Sequence, residues 1–194
     1  MNKKLLLTAN IHAGKGEVRN YLPDMIDYFT SLGWDVTCHP SQRRRDLPGY
    51  IRDNAGDYQL LVSCGGDGTL NETINGLIQC GSPPPLAYLP AGTVNDFASS
   101  LKIPKDMELS AQLVDSGVPF RCDIGRFNIK PEADTGSDFF SYVAAFGAFT
   151  DVAYQTPQPI KQVLGRMAYI LEGVKRLANL KAYHMKIEAE DFSL

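Results

Sequence analysis

The chain reads as an α/β protein, a parallel sheet covered by helices, followed by the start of a second, β-rich region. Three observations predict this. Apolar strand-like runs alternate with helix-forming stretches over residues 1–118. Glycine turns fall at the carboxyl ends of those runs, where parallel sheets hold their ligands. From Val118 onward the texture shifts to β-branched and aromatic residues.

Lys4 to Asn10 is the first strand, followed by the loop Gly14-Lys15-Gly16. Glu17 to Leu32 places Leu22, Ile26, Phe29 and Leu32 on one helical face, and Gly33 stands where a left-handed residue ends a helix. Trp34 to His39 is the second strand and Asp46 to Asn54 the second helix. Tyr58 to Cys64 and Leu86 to Leu89 are short apolar runs of the kind a strand covered on both faces shows. Each leads through a glycine turn into a helix, and Asp106 to Ser116 adds a short one. Beyond Val118, the segments Val118 to Ile129 and Phe139 to Phe146 flank a polar loop, Lys130 to Asp138, that reads as an exposed hairpin connection. Ile160 to Lys181 is a long helix, and Ala182 to Glu190 alternates like a half-buried strand. The expected division is 1–118 for the α/β domain and 119–194 for the N-terminal part of a β-rich one.

Composition narrows the classes. With 194 residues, 44% of them hydrophobic, the chain can bury a full core. A net charge of −3 argues against a general nucleic-acid binder. Cys38, Cys64, Cys80 and Cys122 lack Cys-x-x-Cys spacing, and His12, His39 and His184 form no zinc-like pairing with them. They are expected as buried free thiols in a reducing, cytoplasmic setting. No secretory signal is visible, and the apolar segments are far shorter than the roughly 18 residues of a spanning helix.

The chemistry concentrates in two junctions. The first is Gly65-Gly66-Asp67-Gly68-Thr69, with Leu70, Asn71 and Glu72 opening the next helix. The second is Pro90-Ala91-Gly92-Thr93-Val94-Asn95-Asp96-Phe97. Glycines let backbone approach a ligand and turn N–H groups outward, and the helix dipole behind them favours an anion such as phosphate. A Walker A loop does not fit, because Ala9 and Gly16 stand at its required positions around Gly14-Lys15. A dinucleotide fingerprint begun at Gly66 places its third glycine on Asn71. The pair of junctions resembles the diacylglycerol-kinase-like lipid kinases, whose hallmarks are Gly-Gly-Asp-Gly-Thr-Leu-Asn-Glu and Gly-Thr-x-Asn-Asp-Phe. Nicotinamide-nucleotide kinases and phosphofructokinases share the first hallmark, and the second separates the lipid kinases from them.

That resemblance implies a phosphofructokinase-like, nucleotide-binding α/β domain. It implies transfer of the γ-phosphoryl group of ATP to the hydroxyl of diacylglycerol, giving phosphatidic acid, or of a related lipid alcohol, with magnesium (Mg2+). Such catalysis is mostly positioning and charge neutralisation. Asp67, Asp96 and Asp123 correspond to carboxylates that hold magnesium through water; helix capping is the alternative role for Asp67 and Asp96, and turn formation for Asp123. The nucleotide is expected on Asn10, Ile11, His12, Ala13 and Gly14 after the first strand, and on Ser41 after the second. Gly65, Gly66, Asp67, Gly68, Thr69, Leu70, Asn71 and Thr93 complete that set. Ile11 replaces a proline of the family pattern. Lys15 is either a phosphate contact or a solvated lysine at a helix start, and Ser41 either a ligand or a loop serine. Glu72 and Asn95 are candidates for bracing the turns internally.

The resemblance continues through Asp123-Ile124-Gly125, Phe146-Gly147-Ala148 and Lys161-x-x-Leu164-Gly165-Arg166-x-Ala168-Tyr169. Members of the family are longer. The sequence is therefore expected to stop inside the second domain, with the general base beyond residue 194 and the activity of this length alone in question. An insoluble lipid substrate implies work at a membrane surface without crossing it. The helix from Ile160, with five basic residues against Glu172, either lies on an anionic bilayer or packs on a core with a solvated basic face. Arg43-Arg44-Arg45 reads as a solvated loop. A homodimer is left open. The competing readings are a kinase for a soluble nucleotide or sugar and a non-catalytic nucleotide-binding fragment.

Overall fold

The computed structural model describes residues 3–14, 16–127 and 139–144, with two short strands at 188–189 and 192–193. The chain separates into two compact units, Met1–Val143 and Ala144–Leu194. The first is built on four parallel strands, β1 (Lys3–Ala9), β2 (Trp34–Pro40), β3 (Leu60–Gly65) and β4 (Leu86–Pro90), in the order β2-β1-β3-β4. Helices α1 (Val18–Ser31), α2 (Leu47–Asn54), α3 (Asp67–Gln79), α4 (Asp96–Ser100) and α5 (Met107–Ser116) connect and cover them. The alternating α/β architecture and its parallel sheet are those expected from the sequence.

Strand β1 is central, and its alternation divides the core. Leu5, Leu7 and Ala9 join Val62, Cys64 and Leu89 under α1 and α5, contacting Val18, Met25, Phe29, Met107 and Ala111. Leu6 faces the other way and packs with Leu61, Leu47, Ile51, Leu77 and Cys80 beneath α2 and α3. A strand covered on both faces has no polar side, which is why Leu5-Leu6-Leu7 runs unbroken. Ser63 satisfies its buried hydroxyl against Thr73 at 2.9 Å, and Thr73 donates onward to the Thr69 carbonyl at 2.9 Å, tying β3 to α3.

Helix α1 turns a slightly different face inward than its leucine spacing suggested. Val18, Met25 and Phe29 are buried, while Leu22, Ile26 and Leu32 pack half-buried at the margin. Gly33, at φ +83°, ends the helix as expected.

The segment after α5 departs from expectation. Of Val118 to Ile129, only β5 (Gly125–Arg126) is strand, paired antiparallel with β6 (Phe139–Phe140). Val118 and Phe120 are exposed and residues 117–124 form no regular element, because β-forming composition needs a neighbouring strand to become a sheet. Cys122 lies in this stretch and is exposed, and Cys38 is half-buried, so only Cys64 and Cys80 are the buried thiols expected. In the second unit the described elements are β7 (Glu188–Ala189) and β8 (Phe192–Ser193), an antiparallel pair. The expected loop at 130–138, the strand to Phe146 past residue 144, the motifs at 146–148 and 161–169, the long helix, and Lys15 lie outside the described residues.

Candidate functional site

The order β2-β1-β3-β4 reverses direction between β1 and β3, and in an open α/β sheet the crevice at that reversal, outside the carboxyl ends, is the ligand position. The loop after β1 (10–16) and the turn after β3 (65–69) flank it, with the turn after β4 (91–95) alongside. All three glycine segments singled out in the sequence therefore fall on one end of one sheet.

At the first turn, β3 ends on Gly65, Gly66 caps α3, and Asp67 is the first helical residue. The first intrahelical bond runs from Leu70 N–H to the Gly66 carbonyl at 3.0 Å. The N–H groups of Asp67, Gly68 and Thr69 precede it, at the positive end of the helix dipole. Gly68 is exposed, and a Cβ there would meet nothing within 4 Å. The helix start is open to solvent at that point.

Gly66 instead faces the second turn. A Cβ on Gly66 would lie 3.2 Å from Gly92 Cα, and one on Gly92 would lie 2.5 Å from Gly66 Cα and 2.6 Å from Asn95 Oδ1. These two glycines exist as a pair because their backbones touch. Asn95 takes the left-handed conformation (φ 58°, ψ 56°) and brackets Gly92, accepting from its N–H and donating to its carbonyl at 2.8 Å each. The internal brace expected of Asn95 is present. Glu72 differs, since its Oε1 accepts from the Arg45 N–H at 2.9 Å and so anchors the β2–α2 loop instead of its own turn.

Asp67 joins the two junctions. Its Oδ2 accepts from Asp96 N–H and its Oδ1 from Phe97 N–H, both at 3.1 Å. It thus caps α4, a helix begun 29 residues later, and the capping role and the functional one are not exclusive. Above the sheet, Ala91 N–H donates to the Gly65 carbonyl at 2.7 Å, and the Tyr88 hydroxyl donates to the same carbonyl at 3.2 Å. Burial pushes the Tyr88 phenol well above its ordinary range, with the Asp67 carboxylate and Cys64 adding to the shift. Tyr88 was not singled out in the sequence. The available signal was a hydroxyl inside an otherwise apolar strand, which needs a partner when buried.

The first loop is stitched to the same place. Asn10 donates through Nδ2 to Thr69 Oγ1 at 3.3 Å and accepts through Oδ1 from His12 N–H at 3.0 Å. Gly14, at φ +59°, lies so close to the second turn that a Cβ would stand 2.6 Å from the Ala91 carbonyl oxygen. His12 and Thr93 are exposed, whereas Ile11 and Ala13 are half-buried against the core. Ser41 is buried just past β2, its N–H donating to the Ala9 carbonyl at 2.8 Å. Leu70 packs in the core with Ile74, Tyr88 and Ala98, so its side chain is structural; Asn71 is half-buried with its carbonyl taken by Asn75 Nδ2 at 2.8 Å.

Asp96 is half-buried at the start of α4, and Asp123 is exposed in the irregular stretch before β5. Among the described residues no three His, Cys, Asp or Glu side chains converge to hold a metal ion, so the three aspartates do not form a direct ligand set. A carboxylate oxygen that accepts one N–H keeps a second lone pair, and magnesium retains several of its waters. The donor chemistry of Asp67 and Asp96 therefore suits a water-mediated magnesium ion.

Comparisons with known proteins show the family and the fold. A diacylglycerol kinase from Staphylococcus saprophyticus is 33% identical over 192 residues, covering 98% of this chain and 60% of its own. One from Staphylococcus epidermidis is 32% identical, with 98% and 58% covered. The chain thus spans about three-fifths of the length of these curated relatives. A solved structure from Bacillus anthracis superposes on the whole chain and 61% of its own at a TM-score of 0.76 and 23% identity, a likeness of fold. The crystal structure of a diacylglycerol kinase from the same organism is 28% identical, covering 64% of this chain and 42% of its own at a TM-score of 0.54. Residues 4–127 match the diacylglycerol kinase catalytic domain, spanning β1 through β5 and both glycine junctions, and the chain belongs to that family.

Proposed function

We propose that the protein is a lipid kinase that binds ATP across the three turns and passes its γ-phosphoryl group, with magnesium, to the hydroxyl of diacylglycerol or a related lipid alcohol. The observation that carries this reading is the locked pair of glycine junctions, with Asp67 capping α4 while the start of α3 stays open at Gly68. The N–H groups of Asp67, Gly68 and Thr69 and the dipole of α3 hold the phosphates. The Thr93 hydroxyl, exposed on the second turn, adds a donor to the same chain of oxygens. The nucleoside end lies over the first loop, from Asn10 to Gly14, and reaches Ser41.

Magnesium, when bound, neutralises charge on the phosphates; Asp67, Asp96 and Asp123 would hold its waters. The residues of the chain hold the phosphates in place and shield them, and no described side chain is assigned as base for the acceptor hydroxyl. The acceptor is met at a membrane surface from the cytoplasmic side. Among the described residues no helix is long and apolar enough to cross a membrane.

The test is transfer of label from γ-labelled ATP, assayed against diacylglycerol, ceramide and sphingoid bases in mixed micelles and against soluble nucleotides and sugars. Labelled phosphatidic acid or another phospholipid product is the expected result. Label passing only to a soluble acceptor would establish the competing kinase reading. ATP binding without transfer to any acceptor would favour a nucleotide-binding role.

A further inference from the structure

Tyr88 lies under both glycine turns. Its hydroxyl donates to the Gly65 carbonyl of the first turn at 3.2 Å and lies 3.5 Å from Asn95 Oδ1, the atom that brackets the second. Its ring is buried against Leu70 of α3 and Ala98 of α4 and meets the Phe97 ring edge-on at 6.2 Å. One side chain therefore contacts both helices whose starts form the site, from a buried position. Asp67 and the Gly66–Gly92 contact join the same turns. Tyr88 is the link beneath them.

We propose that Tyr88 is a positioning residue whose hydroxyl sets the separation of the two turns, and with it the affinity of the site for a polyphosphate chain. This rests on the reading of the turns as an ATP site. The hydroxyl is not needed to satisfy either acceptor. Gly65 O also accepts from Ala91 N–H at 2.7 Å, and Asn95 Oδ1 also accepts from Gly92 N–H at 2.8 Å. Tyr88→Phe thus keeps the ring and its packing and orphans no buried polar atom. What it removes is one buried bond at the base of the turns, leaving in place the Asp67 and Ala91 bonds that also join them.

The experiment measures binding of ATP, inorganic tripolyphosphate and adenosine by calorimetry, with thermal melting of the unliganded chain alongside. The chain carries tyrosine, phenylalanine or 4-aminophenylalanine at position 88. Tyr88→Phe is expected to melt within a few degrees of the parent. It should bind ATP and tripolyphosphate about threefold to tenfold more weakly, the size of one lost hydrogen bond, with adenosine unchanged. The amino analogue restores a donor at the same point and is expected to recover the affinity. A parent chain that binds ATP and a Tyr88→Phe chain that binds it equally well would overturn the proposal and leave the ATP site standing. An equal loss for adenosine, no recovery with the amino analogue, or an unfolded Tyr88→Phe chain would overturn it as well, making the hydroxyl a general fold determinant. A parent chain that binds neither ATP nor tripolyphosphate would remove the ATP reading, and this proposal with it.

Discussion

At the scale of single residues, glycines that look alike in the motif answer to different constraints. Gly92 has no room for a methyl group, with Gly66 Cα and Asn95 Oδ1 both inside contact distance of its missing Cβ. Gly92→Ala should therefore destabilise the fold by about 1–3 kcal/mol, the range of overpacking, read by chemical denaturation. Gly68 has open space and sits in the first turn of α3, so Gly68→Ala should leave stability unchanged or slightly higher. On the proposed reading its methyl would stand where phosphate approaches, and ATP affinity should fall about tenfold, roughly 1.4 kcal/mol. A Gly68→Ala chain with parent affinity would remove Gly68 from the site. The sequence marks both as turn glycines. It cannot say which backbone each one meets, because that follows from the Gly65–Pro90 register of β3 and β4. Cys64 makes a further residue-scale prediction. Burial, reinforced by nearby Cys38, pushes its thiol from 9.0 up to about 12. Between those pH values the unfolded chain loses a proton that the folded one keeps, so stability present below pH 9 should fall steadily as pH rises toward 12. A Cys64→Ala chain should show a shallower alkaline decline in melting temperature, and an identical decline would count against the thiol as its source.

At the scale of elements, the strands and helices of residues 4–116 were legible because each carries its own period and its own stop signal. The central strand betrayed its double coverage by an unbroken leucine run, and α1 its end by Gly33. The face of α1 was legible only approximately. Packing against both β1 and α5 turned Met25 inward and Leu22 toward the margin, and no sequence spacing contains that neighbour. The region after Val118 was least legible, since pairing there depends on partners far along the chain. One such partner is Asn75. Buried in α3, it donates to the Phe139 carbonyl at 3.1 Å and accepts from the Phe139 N–H at 3.3 Å, holding β6 as another strand's peptide group would. Asn75→Ala removes both bonds from that half-buried peptide and should cost about 1–2 kcal/mol. Hydrogen exchange should then quicken at the Phe139 amide well before it quickens in β1. Exchange unchanged at Phe139 would mean that the β5–β6 pairing holds the segment without α3.

At the scale of the molecule, the three glycine turns of the site and both bridging carboxylate bonds lie within the unit Met1–Val143. That unit also holds the three core clusters, from Leu5 on the sheet to Ala111 on α5. Among the described residues, nothing that positions Gly68, Asp67 or Thr93 draws on a residue past Phe140. A chain comprising residues 1–143 should therefore melt cooperatively on its own. If the turns are the ATP site, that chain should also bind ATP within about threefold of the 194-residue affinity, because binding needs only the preformed turns. Stabilisation by the ligand follows from the same linkage: saturating ATP should raise the melting temperature of both lengths by a similar amount. Transfer to a lipid is a stricter demand, since the acceptor hydroxyl needs its own seat and a base within hydrogen-bond reach. The two lengths should therefore be compared for ATP binding before either is assayed for turnover. A 1–143 chain that melts cooperatively yet binds ATP far more weakly would show that residues beyond 143 complete the nucleotide site, and the site would have to be redrawn to include them.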